Sequence, residues 1–247
     1  MNKNKCLSRI NPVFLNGIAH RGLHNSDFTE NGMKAFENAI NHGVAFEFDI
    51  HLTKDNELIV CHDEDLKRTT GKEGIIEDLS LKEIKENYRL LDGGEIPTLQ
   101  EVLDLNKERV PMVIELKVFR KNYKPLAARF KEYLSQIKDK KNVLIISFDP
   151  RSLWPLKGLG FIRSLLVAKS DEYTWPFRHT VESVDLDMKL FEERRVQRYV
   201  KKHFTNAWTI ETEQHLANML PYVDTVTYQY LEPDVVIRAL FTAKDKK

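Results

Sequence analysis

The chain has 247 residues, with 38 Lys and Arg against 37 Asp and Glu and a net charge of +1; it is long enough for a full core and most simply forms one domain over residues 1–247. So even a balance, with no block of like charge, excludes nucleic acid or an anionic membrane surface as the partner the chain is built for. Two cysteines, Cys6 and Cys61, exclude a disulfide framework and fit a reduced, cytoplasmic setting, and no apolar run reaches the length of a signal peptide or a membrane span.

In chain order, Ile18-Ala19-His20 follows Gly17 as a short first strand, and His20 to Thr29 is a polar loop. A helix is expected from about Asn31 to Asn41, with Met33, Phe36 and Ile40 on one stripe and Gly43 as its stop. Residues Val44 to Leu52 then alternate without a break. Val44, Phe46, Phe48, Ile50 and Leu52 point one way; Ala45, Glu47, Asp49 and His51 point the other. After a turn at Lys54-Asp55-Asn56, the short apolar run Leu58 to Cys61 delivers His62, with Cys61 as buried packing. Lys67 to Glu95 is polar, with one weak helix around Leu81 to Asn87, and predicts a loop excursion over one end of the fold. Thr98 and Glu101 form a capping box for a helix that buries Leu99, Val102 and Leu103.

The third strand is Pro111 to Val118, with Glu115 and Lys117 on one parity and Met112, Ile114 and Leu116 on the other. A helix from Lys124 to Ile137, a strand from Val143 to Phe148, a short helix from Arg151 to Lys157 and a strand from Phe161 to Ala168 follow. Ser170 to His179 is aromatic and irregular. A sixth strand at Ser183 to Met188, a helix at Phe191 to His203, a seventh strand at Asn206 to Ile210 and a helix from Thr212 to Leu220 come next. Val223 to Tyr228 is the eighth strand, and Pro233 opens the last helix. Strands alternate with helices throughout, which argues a parallel sheet. About eight such units argue a closed (β/α)8 TIM barrel with a small excursion, residues 67–95, after the second strand.

Two carboxylates two residues apart on one strand face repel each other unless a cation lies between them. Glu47 and Asp49 form such a pair, and Glu115 repeats the pattern on the next strand. Three oxygen donors without a histidine or cysteine ligand pattern suit a hard divalent cation, magnesium or calcium. The alternative is that each acid pairs with a Lys or Arg inside the barrel mouth. Either way the acids lie near strand ends, where barrels carry their functional groups.

The same stretch carries a family resemblance. His20-Arg21-Gly22, Glu30-Asn31 with Ala35-Phe36, Glu47-Phe48-Asp49, Thr53-Lys54-Asp55 and His62-Asp63 follow one another in the order and spacing of the glycerophosphodiester phosphodiesterases, which the chain resembles. The likeness continues through IPTLQEVLDL (96–105), VIELK (113–117), SFDP (147–150) and AWTI (207–210). It implies metal-dependent hydrolysis of glycerophosphodiesters to sn-glycerol 3-phosphate and an alcohol. It further implies Glu47, Asp49 and Glu115 as metal ligands and His20 and His62 as an acid–base couple, a role that suits imidazoles titrating near neutrality. Arg21 and Lys117 would contact the phosphate and Trp208 would line the substrate pocket. Glu30 and Asn31 would support the site, with Glu30 also a natural ion-pair partner of Arg21. Asp63 orients His62 or caps a turn. With one divalent ion, three carboxylates and two cations the site carries +1, matched to a small-molecule phosphodiester of charge −1. Gly32, Glu211 and the last strand, VDTVTYQYLEP, depart from the family pattern on the alcohol side of the pocket. Two further readings remain: a related barrel acting on lysophospholipids, with Tyr173, Trp175, Pro176 and Phe177 as an apolar rim, and a non-catalytic barrel that binds a phosphodiester.

Overall fold

The structure is a computed structural model that describes residues 1–244, and the backbone alone at 170–172. The chain opens with α1 (Lys3–Leu7) and a tight 3-10 turn at Pro12–Asn16, capped by the side chains of Asn2 and Asn11. It enters the sheet at β1 (Ile18–Ala19), leaves through α2 (Met33–Asn41) and returns as β2 (Ala45–Leu52). The hairpin partner β3 (Leu58–Val60) pairs antiparallel with the end of β2. An excursion carrying α3 (Lys67–Thr70) and α4 (Leu81–Asn87) leads to α5 (Leu99–Asn106) and β4 (Met112–Leu116). Then come α6 (Tyr123–Leu134), β5 (Val143–Ser147), α7 (Pro150–Leu153), β6 (Ile162–Val167) and β7 (Ser183–Asp187). The chain ends with α8 (Arg194–Val200), β8 (Thr205–Ile210), α9 (Glu213–Met219), β9 (Thr225–Tyr228) and α10 (Pro233–Lys244).

The parallel strands run β1-β2-β4-β5-β6-β7-β8-β9, and β9 pairs back with β1 to close the ring. This is the expected TIM barrel, and β3 is a ninth strand outside the ring. The side-chain parity read from the sequence holds. Phe46, Phe48, Ile50, Met112, Ile114 and Leu116 pack outward under the helices, while Ala45 and Val113 face inward. The inner floor is Ile18, Ala45, Val113, Leu144, Ile162 and Phe204, and Cys6, Ile10 and Phe14 from the N-terminal segment pack onto it. Above that apolar floor the interior turns polar, toward the C-terminal ends of the strands.

Several boundaries differ from expectation for local reasons. The first helix begins at Met33 with Gly32 as its cap, because Asn31 takes a left-handed conformation (φ 56°) that no helix continues through. The stretch at 191–203 is a 3-10 turn (Met188–Glu192) followed by the shorter α8. The helix expected at 151–157 splits into α7 and a 3-10 turn at Trp154–Leu156, where Pro155 removes a backbone donor. The aromatic segment is a 3-10 stretch, Lys169–Thr180. The excursion is more than a polar loop: Leu66, Ile76, Ile84, Tyr88 and Leu90 bury themselves with Ile59, Cys61 and Ile96 in a small core of their own. Among the described residues no helix is long and apolar enough to cross a membrane.

Candidate active site

The turn after β1 builds the first wall. Arg21 and Gly22 both take positive φ (54° and 80°), and a Cβ at Gly22 would stand 2.9 Å from that of Ala35, so glycine is required there. The tight turn lets the Arg21 backbone N–H donate to Glu47 Oε2 at 3.0 Å. The Arg21 guanidinium swings to Glu30 (2.7 Å) and lies 3.5 Å from Asp49 Oδ2. His20, directly after β1, makes a 2.7 Å contact from Nδ1 to Gln229 Oε1, and Gln229 in turn donates to Glu211.

The register of β2 against β4 sets Asp49 beside Glu115. Glu47, Asp49 and Glu115 are 3%, 1% and 7% exposed, and one oxygen from each falls within 4.8 Å of the others. Among the described residues no other group of three or more such side chains comes together this way. Asn31, which the sequence suggested only as support, takes a left-handed backbone and donates its amide to Asp49 Oδ2 at 2.9 Å. Lys117 reaches Glu115 at 2.9 Å and Asp49 at 3.4 Å.

The charges sort themselves unevenly. Burial and the neighbouring Asp49 and Glu115 push Glu47 well above the usual carboxylate range. Burial also raises Glu115, to about 7, against the pull of Lys117. Asp49 is buried too, yet Lys117 and Arg21 hold it well below its ordinary value. Burial and Arg21 keep His20 neutral, down to about 3. Ionised together, the three carboxylates would exceed the two cations facing them by one negative charge, a form that burial disfavours and a divalent cation would stabilise; Asp49 Oδ1 has no hydrogen-bond donor. A hard divalent cation with oxygen donors fits this set. Asp49 and Glu115 pair with Arg21 and Lys117, the alternative read from sequence, and the donor set of all three acids fits a cation as well.

The second histidine comes from the excursion side. His62 Nδ1 meets Asp63 Oδ1 at 2.6 Å, Asp63 Oδ2 accepts from Arg68 at 2.5 Å, and Arg68 grips both oxygens of Glu30. Asp63 thus touches the imidazole, as one of its two sequence readings required. His51, on the same inner face, bonds Glu77 (2.8 Å) and the carbonyl of His62 (3.2 Å), tying the excursion to the barrel. Trp208 stacks edge-on against Phe148 at 5.6 Å.

Two cavities meet at this centre and share His62, Glu115 and Phe148. One, of about 460 Å³, opens outward past Lys117 to Trp154, Tyr173 and Phe177. The other, of about 110 Å³, lies between His20, Glu47 and Glu115 on one side and Asp185, Asn206, Trp208 and Thr227 on the other. Trp175 belongs to neither: it turns inward onto Tyr199 and the core. Arg68, Gln229, Asp185 and Asn206 were missed from sequence. Each is an ordinary polar residue there, and each gains its place from partners 5 to 209 positions away.

A closed parallel barrel that gathers acids, cations and histidines at the C-terminal ends of its strands defines the class: a TIM-barrel enzyme. The model of the glycerophosphoryl diester phosphodiesterase family matches residues 20–238, and the chain belongs to that family, a phosphodiesterase by class. A glycerophosphodiester phosphodiesterase of Bacillus altitudinis is 30% identical over 242 residues, 90% of this chain and 97% of the relative. The crystal structure of a glycerophosphodiester phosphodiesterase from Parabacteroides distasonis superposes with a TM-score of 0.75 at 25% identity, covering 92% of this chain and 97% of that one. A phosphodiesterase of Oleispira antarctica, solved in complex with its product sn-glycerol-3-phosphate, shares the fold at a TM-score of 0.78 and 22% identity, covering 97% and 99% of the two chains.

Proposed function

We propose that the chain hydrolyses glycerophosphodiesters to sn-glycerol 3-phosphate and an alcohol, with His20 and His62 as the acid–base couple and a divalent cation, magnesium or calcium, held by Glu47, Asp49 and Glu115. The observation that carries this reading is the trio of buried carboxylates within 4.8 Å, flanked by Arg21 and Lys117 and lying beside the cavity that both histidines line. The name of the Bacillus altitudinis relative supports the substrate class.

The bound cation would supply Lewis-acid polarisation of a phosphoryl oxygen. The chain's own groups do the rest. Arg21 and Lys117 stabilise negative charge as it grows on the phosphoryl oxygens. One imidazole takes the proton from the attacking oxygen, either water or the neighbouring glycerol hydroxyl. The other gives a proton to the leaving alkoxide. With the glycerol hydroxyl as nucleophile this leaves a cyclic phosphate, which water then opens with the two imidazoles exchanging roles, giving glycerol 3-phosphate and restoring the couple. With water as nucleophile the couple is restored by proton exchange with solvent. Asn31 and Glu30 hold Asp49 and Arg21 in place, Asp63 orients His62, and Trp208 lines the pocket. The two buried free thiols favour a cytoplasmic setting.

The test is release of glycerol 3-phosphate from glycerophosphocholine with magnesium, with calcium or with EDTA, alongside His20→Ala and His62→Ala. The expected result is release that EDTA abolishes and that each variant lowers by about 10²–10⁴-fold. Release indifferent to EDTA, or undiminished in either variant, would overturn the assignment. A second reading, action on lysophospholipids, is favoured by Trp154, Tyr173 and Phe177 along the outward cavity. Turnover of lysophosphatidylcholine that exceeds turnover of glycerophosphocholine would establish it.

A further inference from the structure

Across the small cavity from the carboxylates, four strands contribute one polar side chain each. Ser164 on β6 donates to Asp185 Oδ1 on β7 at 2.6 Å. Asn206 on β8 donates from Nδ2 to Asp185 Oδ2 (3.1 Å) and to Thr227 Oγ1 on β9 (2.8 Å). The register places Asp185 directly beside Asn206. These contacts determine which way the Asn206 amide lies. An ionised carboxylate only accepts, so the NH2 must face Asp185, and with both of its hydrogens engaged the carbonyl Oδ1 is left over. That oxygen is buried and has no partner among the described residues, on a residue only 2% exposed. Two positions along the same strand, the Trp208 Nε1–H is likewise buried and without a partner among the described residues. Both residues line the 110 Å³ cavity, together with His20, Glu47 and Glu115.

An unpaired acceptor and an unpaired donor in one small buried space are costly to keep, and most buried polar groups are paired. A hydroxyl has the chemistry to answer each, because it donates to a carbonyl oxygen and accepts from an indole N–H. We propose that Asn206 Oδ1 and Trp208 Nε1 form a subsite for the terminal hydroxyl of the glycerol moiety, with Asp185 and Thr227 locking the amide that presents the acceptor. The neighbouring hydroxyl then remains on the side of the histidines and the phosphate. The subsite rests on the glycerophosphodiester reading above and specifies which half of the substrate enters the inner cavity: the glycerol, with the alcohol left to the larger outward one, so that Thr227 of the last strand falls on the glycerol side rather than on the alcohol side expected from sequence.

A pocket built to bond a hydroxyl rejects an analogue that lacks it, because its own buried groups are then stranded. The experiment compares kcat/KM for glycerophosphocholine with that for the same diester carrying hydrogen in place of the terminal hydroxyl. Wild type should prefer the glycerol ester by about tenfold or more. Asn206→Leu should bring that ratio close to one. Trp208→Phe, which keeps an aromatic ring and removes the indole N–H, should lower it as well and decides the matter if Asn206→Leu does not fold. A wild-type ratio near one, or an undiminished ratio in Trp208→Phe, overturns the subsite while leaving the phosphodiesterase reading intact. Turnover of neither diester by wild type overturns that reading and the subsite with it.

Discussion

His62 shows how a single contact can be made to report a chemical role. Burial lowers its imidazole, Asp49 raises it, Lys117 and Arg21 lower it again, and the hydrogen bond to Asp63 raises it, with the net below the ordinary value. Asp63→Asn keeps a hydrogen-bond acceptor at 2.6 Å but removes the charge. A lost negative charge favours the neutral imidazole, so the limb of the kcat/KM profile that belongs to His62 should move to lower pH. A base must be neutral to act and governs the acid-side limb; an acid must be protonated and governs the alkaline limb. The side that moves therefore assigns His62 its step. If neither limb moves, His62 does not titrate in the reaction and the acid–base couple is wrong.

At the scale of elements, the contact that matters most joins two segments that are far apart in sequence. Arg68, in the excursion, bridges Glu30 on the loop after β1 and Asp63 beside His62. Burial would raise the Glu30 carboxyl, but Arg68 and Arg21 overrule it and hold the group at about 2, below its ordinary 4.5. A depressed carboxylate stabilises the fold at pH above its unfolded value, and that contribution is lost as pH falls through the folded one. Glu30→Gln should therefore cost about 2 kcal/mol at pH 7, and the gap to wild type should shrink between pH 4.5 and pH 2. Urea unfolding at pH 7 and pH 3 measures it; an equal gap at both would mean that the ion pairs of Glu30 are not what stabilises the fold there. This is also where sequence reading reaches its limit. Glu47, Asp49 and Glu115 were readable because a strand repeats every two residues, so parity alone assigns a face. Arg68 and Glu30 lie 38 residues apart, and no local period links them. The excursion's core escaped for a related reason: Leu66, Ile76, Ile84, Tyr88 and Leu90 are too sparse to form a stripe. Asp185 and Asn206 sit in short strands where their bonds run sideways to other strands.

At the scale of the whole molecule, the barrel has two ends with opposite chemistry, and the N-terminal segment makes the difference. A (β/α)8 ring needs side chains to fill its interior. Here the strands supply only part of the lower filling, and Cys6, Ile10 and Phe14, spaced four apart, complete it from below. The Thr225 hydroxyl donates to the carbonyl of Phe14 at 2.5 Å, fastening the segment to β9. From sequence this stretch carried no assigned element, because its three core residues precede the first strand and form no amphipathic helix of useful length. Both cavities lie on the other side of this buried apolar floor, at the strand C-terminal ends. Phe14 is fully buried, so Phe14→Ala should destabilise the fold by about 3–5 kcal/mol, the cost of a core aromatic truncated to a cavity. It lines neither cavity of the site, so kcat/KM per folded molecule should stay within about twofold of wild type. Guanidinium unfolding together with kinetics below the transition tests both halves. A loss under 1 kcal/mol would mean that the segment merely rests against the barrel. A large fall in kcat/KM without unfolding would mean that the floor holds the catalytic layer in register.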